Sequence, residues 1–279
     1  MWPACSPATP DLSSRVHLPY FCGEQIFRMF PSPFHDTPIS AWALAALAVF
    51  LMGISKAGLK GLSIFNVTLM ALAFGSKAST GLFIPLLVLG DIFAVIHYNR
   101  HTQWKYILKL LPWMLLGILL GALLGKDLPE REFTWIMVAM ILFSLGMLIW
   151  WDRRRSERLP SHWAFAGSVG TLAGLCTMIG NLAGSLTNIF FLAMRLPKNE
   201  FVGTAAWLYF ITNLFKLPFH ILVWETVTPE SLLIDLWLAP VLFAGLFLGV
   251  YLVKKIDERN FKRFILVMTA IGALAMLFR

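Results

Sequence analysis

Long apolar runs separated by short polar loops fill the chain from residue 39 onwards. A helix that crosses a bilayer needs about 20 consecutive apolar residues, and most of the runs approach that length. The first, second, sixth and seventh runs are shorter than the others. The runs lie at residues 39–54, 62–74, 78–97, 106–125, 133–151, 162–178, 182–195, 200–223, 232–252 and 261–278. The pattern therefore predicts ten helical segments, and the short ones either cross the membrane fully or re-enter it as hairpins.

Composition supports a membrane protein and excludes a soluble one. The 279 residues are 58% hydrophobic and only 14% charged, with a mean hydropathy of +0.73, whereas soluble domains carry about 25% charged residues. The net charge of +8 lies in loops between apolar segments, where positive charge fixes topology and does not indicate a nucleic-acid partner. We expect an all-α polytopic protein of a bacterial cytoplasmic membrane, with lipid as its surroundings; no pattern indicates an oligomeric state.

The second half of the chain repeats the first at nearly constant offsets. Such a match predicts an internal duplication. Offsets of 121 and 122 align Ser40, Trp42, Gly53, Gly81 and Asp91 with Ser161, Trp163, Gly174, Gly203 and Asn213. An offset of 128 aligns Pro112, Gly117, Gly121, Lys126 and Glu130 with Pro240, Gly245, Gly249, Lys254 and Glu258. We expect an irregular arm at 1–38, a first repeat at 39–152, a basic cytoplasmic linker at 153–161 and a second repeat at 162–279.

The loops predict how the two repeats are oriented. Basic residues mark cytoplasmic loops, and alternate loops of this chain hold 13 of them. They are Arg100, Lys105, Arg153, Arg154, Arg155, Arg158, Arg195, Lys198, Lys254, Lys255, Arg259, Lys262 and Arg263. Both chain ends are then outside. Since each repeat has five segments, an odd number, the second is inverted relative to the first, as in many secondary transporters, and the short broken segments lie at the centre.

Polar residues interrupt the short segments of both halves. The run GISKAGLKG, from Gly53 to Gly61, places two lysines among glycines at membrane depth, where charged groups are costly and usually functional. A broken helix also leaves backbone N–H groups free to bind an anion. The predicted substrate-binding residues are Ser55, Lys56, Gly58, Lys60, Asn66, Asn181, Ser185 and Asn188. Alternatively, the lysines extend to the interface on their flexible stems, and the small and amide residues allow close helix packing.

Three further polar residues lie inside longer apolar runs. Asp91, Asn213 and Lys216 are predicted to act in coupling or gating. Asp91 either carries a proton, which makes a proton the candidate coupling ion, or has a structural role. Lys216 either attracts anions or extends outward beside Pro218. Their depths along their helices differ, so we do not expect a direct ion pair between Asp91 and Lys216.

Other chemistry finds little support in the sequence. His97 and His101 have the i, i+4 spacing of a metal pair, but no third ligand is near them in sequence. No nucleophile, base or carboxylate pair stands at catalytic spacing, so neither an enzyme nor a cofactor is expected. Tryptophans such as Trp104 and Trp224 lie at predicted helix ends and are typical of an interfacial belt.

These motifs resemble those of the TauE/SafE family of sulfite and organosulfonate exporters. The resemblance rests on GISKAGLKG, on the run from Pro85 to Tyr98, and on LPWMLLGILLGALLG; in the second half it rests on GLCTMIGNLAG and NLFKLPF. It covers residues 39–278 and implies that the protein exports small sulfur-containing anions across the membrane. A passive anion channel, or an importer of sulfur oxyanions, is the alternative, because either would use the same lysines and helix ends.

Overall fold

The described part of the chain is helical throughout its regular structure. The computed structural model describes residues 38–59, 62–153 and 163–255, together with 257, 260 and 267. The predictions for residues 1–37, for most of the basic linker and for most of the last segment lie outside these residues. The helices are α1 (Ile39–Lys56), α2 (Ser63–Phe74), α3 (Ser76–Tyr98), α4 (Trp104–Gly125), α5 (Glu130–Arg153), α6 (Trp163–Gly180), α7 (Ala183–Ala193), α8 (Lys198–Leu222) and α9 (Pro229–Lys255), with a 3₁₀ turn at Asn99–His101.

Five of these helices, α1, α3, α4, α6 and α9, are long and apolar enough to cross a membrane. Large apolar side chains remain exposed along them, including Leu108, Leu123 and Leu124 on α4 and Leu236 and Phe247 on α9. Side chains of this kind on the outside of a helix bundle suit contact with lipid. α2 and α7 have only 12 and 11 residues. The predicted short segments are therefore short helices in the structure.

Glycines allow two pairs of helices to pack backbone against backbone. α1 and α9 run parallel, because Gly245 lies against Phe50 while Gly249, further along α9, lies against Ile54. α4 and α6 also run parallel, because Gly170 lies against Leu110 and Gly117 lies against Thr171. A Cβ atom added at Gly117 or Gly245 would overlap the facing carbonyl oxygen. Small residues at such crossings are how membrane helices gain close packing.

α3 and α8 cross in the opposite sense. Gly81, near the start of α3, lies against Thr226, just beyond the end of α8. Gly203, near the start of α8, lies against Tyr98 at the end of α3. The two helices are therefore antiparallel, and the polar residues in their middle turns face one another.

Both short helices follow a break in the backbone. α1 ends at Lys56, and Gly58 then has φ of +133°, a conformation that glycine adopts most easily. Tyr98 Oη donates a hydrogen bond of 2.7 Å to the carbonyl oxygen of Ala57 and so satisfies one of the free carbonyls at this helix end. In the second half α6 ends at Gly180, and Asn181 has φ of +56° before α7 begins. The chain breaks where the sequence predicted it.

Candidate functional site

The two breaks meet at one cavity. It holds about 550 Å³ of space free of protein atoms, part of it open to solvent, and α1, α2, α3, α6, α7 and α8 all contribute to its wall. Apolar side chains such as Phe83 and Leu87 form one part of the lining. The polar part includes Ser55, Lys56, Asn66, Thr177, Asn181 and Asn213. A pocket with an apolar wall and a few convergent polar groups is the usual form of a small-molecule site.

Lys56 brings a buried positive charge to this cavity. Only 7% of the residue is exposed, and its Nζ lies 2.5 Å from Asp91 Oδ1. Asn213 Nδ2 donates a 2.6 Å hydrogen bond to the other carboxylate oxygen of Asp91. Gly90 leaves room for the lysine stem, because a Cβ there would lie 3.1 Å from Lys56 Cγ. The ring of Tyr209 lies 5.5 Å from Nζ, within the range of a cation–π interaction.

Lys216 is a second buried cation, held by neutral groups. Its Nζ donates to the Thr177 carbonyl oxygen at 3.0 Å, to Thr177 Oγ1 at 3.1 Å and to Asn181 Oδ1 at 2.6 Å. Asn181 Nδ2 in turn donates to the Thr80 carbonyl oxygen at 3.2 Å. Lys216 is fully buried and is not itself part of the cavity wall, but it is hydrogen-bonded to two residues of the wall, Thr177 and Asn181.

Two helix N-termini point to the same cavity. Ser63 is the first residue of α2, and Ala183 and Gly184 open α7; all three line the cavity. Neither helix has a side chain bonded at its N-cap. A Cβ at Gly184 would lie 2.8 Å from Ser63 Oγ, so the two helix starts approach closely. N-termini carry partial positive charge and free N–H groups, which favour an anion.

Asn66 stabilises the first of these breaks from within the cavity wall. In the orientation that satisfies both ends of its amide, Nδ2 donates to the Leu62 carbonyl oxygen at 3.0 Å and Oδ1 accepts from the Met52 N–H at 3.2 Å. Asn66 thus connects α1 to the start of α2. In this orientation the amide is occupied by backbone groups.

The structure brings together most, but not all, of the residues that the sequence singled out. Ser55, Lys56, Asn66, Asn181 and Asn213 line the cavity, and Asp91 and Lys216 lie directly behind it. Asp91 is paired with Lys56 rather than with Lys216.

Two of the predicted ligands that the structure describes, Gly58 and Asn188, are not part of the cavity wall. Gly58 lies in the turn between α1 and α2, where a Cβ would meet Val202 and Val253. Asn188 is buried away from the wall, and neither atom of its amide has a hydrogen-bond partner among the described residues. Lys60 and the side chain of Ser185 lie outside what the structure describes.

Sequence reasoning missed Ser63, Thr177 and Tyr209 as lining residues. Tyr209 is bonded through its hydroxyl to Thr187 and carries the ring beside Lys56. Nothing in an apolar helix distinguishes one tyrosine or threonine from another. The repeat offset supplies a signal, however, because Tyr209 aligns with Leu87 and Thr177 aligns with Lys56, and all four line the cavity.

The described residues do not form a metal-binding site at this cavity. In residues 38–59, 62–153 and 163–255, no group of three or more His, Cys, Asp or Glu side chains is arranged to hold an ion. His97 stacks on Phe93 and makes an edge-to-face contact with Tyr98 at the end of α3. The groups available to bind a ligand in this cavity are a lysine, amides, hydroxyls and helix N-termini.

An apolar helical bundle with a buried lysine in a cavity between broken helices is the architecture of a polytopic membrane protein with an internal small-molecule site. The model of the sulfite exporter TauE/SafE family matches residues 44–276, which is most of the chain. The chain belongs to this family of membrane transporters. No curated protein and no solved structure matches it.

Proposed function

We propose that the protein is a secondary transporter that exports small sulfur-containing anions, such as sulfite or a sulfonate, by alternating access. The observation that carries the proposal is the buried ammonium of Lys56 in the wall of a cavity between two helix starts. A charged group is retained at membrane depth only where it has a partner or a pathway to serve. Membership of the sulfite exporter family directs the proposal to sulfur oxyanions.

The geometry of the cavity suits an oxyanion in three ways. Lys56 supplies a full positive charge, and the starts of α2 and α7 add partial charges and backbone N–H donors. Ser55 and Asn213 add hydrogen-bonding side chains beside them. The apolar wall at Phe83 and Leu87 can accept the carbon end of a sulfonate. Hydrogen bonds from charged or oriented donors are the strong ones for such ligands.

Matching glycine contacts support two inverted repeats. Gly245 lies against Phe50, and Gly117, 128 residues earlier, lies against Thr171, 121 residues after Phe50. The same correspondence holds for Gly53 on Leu242 and Gly174 on Met114, and for Gly249 on Ala57 and Gly121 on Met178. Each of these contacts joins a helix of one half to a helix of the other, so exchanging the two halves leaves the contacts between them unchanged, as expected for two related repeats.

The cavity lies among residues that correspond to one another in the two repeats. Lys56 and Thr177, Ser63 and Gly184, and Leu87 and Tyr209 are such pairs in its wall. Asp91 and Asn213 also correspond, and they are hydrogen-bonded to each other. A site on the axis that relates two inverted repeats can be reached from either side when the halves exchange conformations. This is the basis for alternating access.

The same framework carries two further parts of the proposal. Both chain ends lie outside the cell, as the basic loops favour. A proton is the coupling ion and Asp91 is its carrier, because an anion that binds to Lys56 competes with the carboxylate for the same ammonium. The competition links anion binding to the charge of Asp91.

Counterflow of labelled sulfite in proteoliposomes tests the proposal. A carrier gives saturable uptake that preloaded unlabelled sulfite accelerates, and Lys56→Met should reduce that exchange at least about tenfold, which corresponds to the loss of one charge-assisted contact. Lys126→Met is the matched control, because Lys126 is exposed at the end of α4. Conductance that does not saturate and is not accelerated by preloading would assign a channel instead.

A further inference from the structure

The described residues around the cavity hold three charges. Lys56 and Asp91 form an ion pair, whereas Lys216 has no carboxylate within ion-pair distance among the described residues. The surroundings of Lys216 fit an ammonium, because three acceptor atoms lie around Nζ, one for each of its three hydrogens. The positive charge of Lys216 is therefore uncompensated by protein groups nearby.

The other ionisable residues near this part of the bundle do not change that balance. His220 lies one turn beyond Lys216, shares a hydrogen bond with Thr226 through Nδ1, and leaves Nε2 without a partner. A ring with one unpartnered nitrogen suits the neutral form, since an imidazolium needs an acceptor for each N–H. Asp235 is buried in α9. It lies ten residues before Gly245, the α9 residue that packs against Gly53 beside the cavity, and is therefore about 15 Å from that level along the helix axis. The cavity region thus carries one net positive charge.

We propose that this cavity selects singly charged oxyanions, such as hydrogen sulfite or a monosulfonate, over doubly charged ones, and that Asp91 sets the selection. The inference rests on the proposed function and specifies its substrate by charge. One bound negative charge neutralises the region, whereas a second negative charge is buried without compensation, which is costly away from water. Asp91 is decisive because it offsets the charge of Lys56 before any substrate arrives.

Replacing Asp91 with Asn removes that offset with almost no change in shape. The region then carries two positive charges, and the gain for a doubly charged ligand is twice the gain for a singly charged one. At separations of about 6 Å and an effective dielectric constant of about 20, the difference corresponds to a preference shift of about tenfold or more. Asn also keeps an oxygen for Lys56 to bind.

Methanesulfonate and sulfate are the probes, because their charges of one and two do not change near neutral pH. The dissociation constants of both are measured by calorimetry on the purified full chain, with Asp91→Asn compared with the parent. The parent should bind methanesulfonate more tightly than sulfate, and Asp91→Asn should shift the ratio towards sulfate by at least about tenfold. Asp127→Asn is the matched control, since it also replaces a carboxylate with an amide but at an exposed position beyond the end of α4, and its ratio should equal that of the parent.

The outcomes separate the two proposals. A parent that binds sulfate as tightly as methanesulfonate overturns the inference without any variant, and so does an unchanged ratio in Asp91→Asn. In either case sulfite binding by the parent leaves the proposed function intact. If the parent binds neither probe nor sulfite, the proposed function fails first and the inference with it.

Discussion

Replacing Gly174 with Ala should destabilise the protein through a single backbone contact. A Cβ at this position would overlap the carbonyl oxygen of Met114, since it would lie well under the 3.0 Å that real Cβ atoms keep. The obstacle is backbone, so α4 and α6 must separate along the parallel crossing that they share. Overpacking of this kind costs about 1–3 kcal/mol. The better helix propensity of alanine stabilises by about 1 kcal/mol. The net change in the free energy of unfolding is therefore a loss only where the overlap is severe.

A matched glycine shows what the substitution does without the overlap. Gly146 lies in α5 with nothing within 4 Å of the position of a Cβ. Gly146→Ala should therefore leave the free energy of unfolding unchanged or slightly raise it. Gly53 is the counterpart of Gly174 in the first half, and its Cβ would overlap Leu242. Gly53→Ala should cost as much as Gly174→Ala.

Cys176 provides the readout, because it is buried in α6 and free. In a background with Cys5 and Cys22 replaced by Ser, a thiol-reactive dye reports thermal unfolding through this side chain alone. The net loss, up to about 2 kcal/mol after the gain in helix propensity, lowers the midpoint of a chain this size by roughly 2–4 °C per kcal/mol. A midpoint for Gly174→Ala at or above the parent, or an equal loss in Gly146→Ala, would refute the backbone-contact reasoning.

Three further predictions concern topology, the shared site and the buried Trp224. Single cysteines at Ser156 and Glu230 in a cysteine-free background should label from opposite sides, with only the second reacting from outside; labelling from one side contradicts the inverted arrangement. Lys56→Ala and Asn181→Ala should each weaken sulfite binding, and the double variant should lose less than the sum, as measured by calorimetry; strict additivity would mean that the two halves do not share the ligand. Trp224→Phe should lower the thermal midpoint by the equivalent of about 1 kcal/mol, because it removes one buried indole hydrogen bond; no change in midpoint would contradict this.

The hydrophobic pattern predicted the helices closely. The run at 106–125 became Trp104–Gly125, and the run at 200–223 became Lys198–Leu222. Length and apolarity determine such segments because a helix in lipid must satisfy its backbone internally. Both breaks were also found, since glycine and polar residues interrupt otherwise continuous runs.

The hydrophobic pattern did not predict which side chains pair with one another. The sequence places Lys56 and Asp91 on different helices, but it does not give the rotation of either helix, so their ion pair was not predicted. Trp224 follows the end of α8, as the sequence predicted, but its side chain is buried against protein, which the pattern did not predict. The residue is 7% exposed and donates its indole N–H to the Ala122 carbonyl oxygen, because Gly125 leaves room for the ring.

The buried lysine in α8 has a consequence for the order in which the chain is synthesised. This helix carries Lys216 in its buried middle and is not among the five helices apolar enough to span a membrane by themselves. A lysine buried at membrane depth is costly unless other groups receive its ammonium. Those groups, Thr177 and Asn181, belong to an earlier part of the chain and emerge from the ribosome first. Synthesis from the N-terminus thus prepares the binding partners of α8 before α8 itself is made, and a chain with the order of these helices reversed would release an unpaired lysine into lipid.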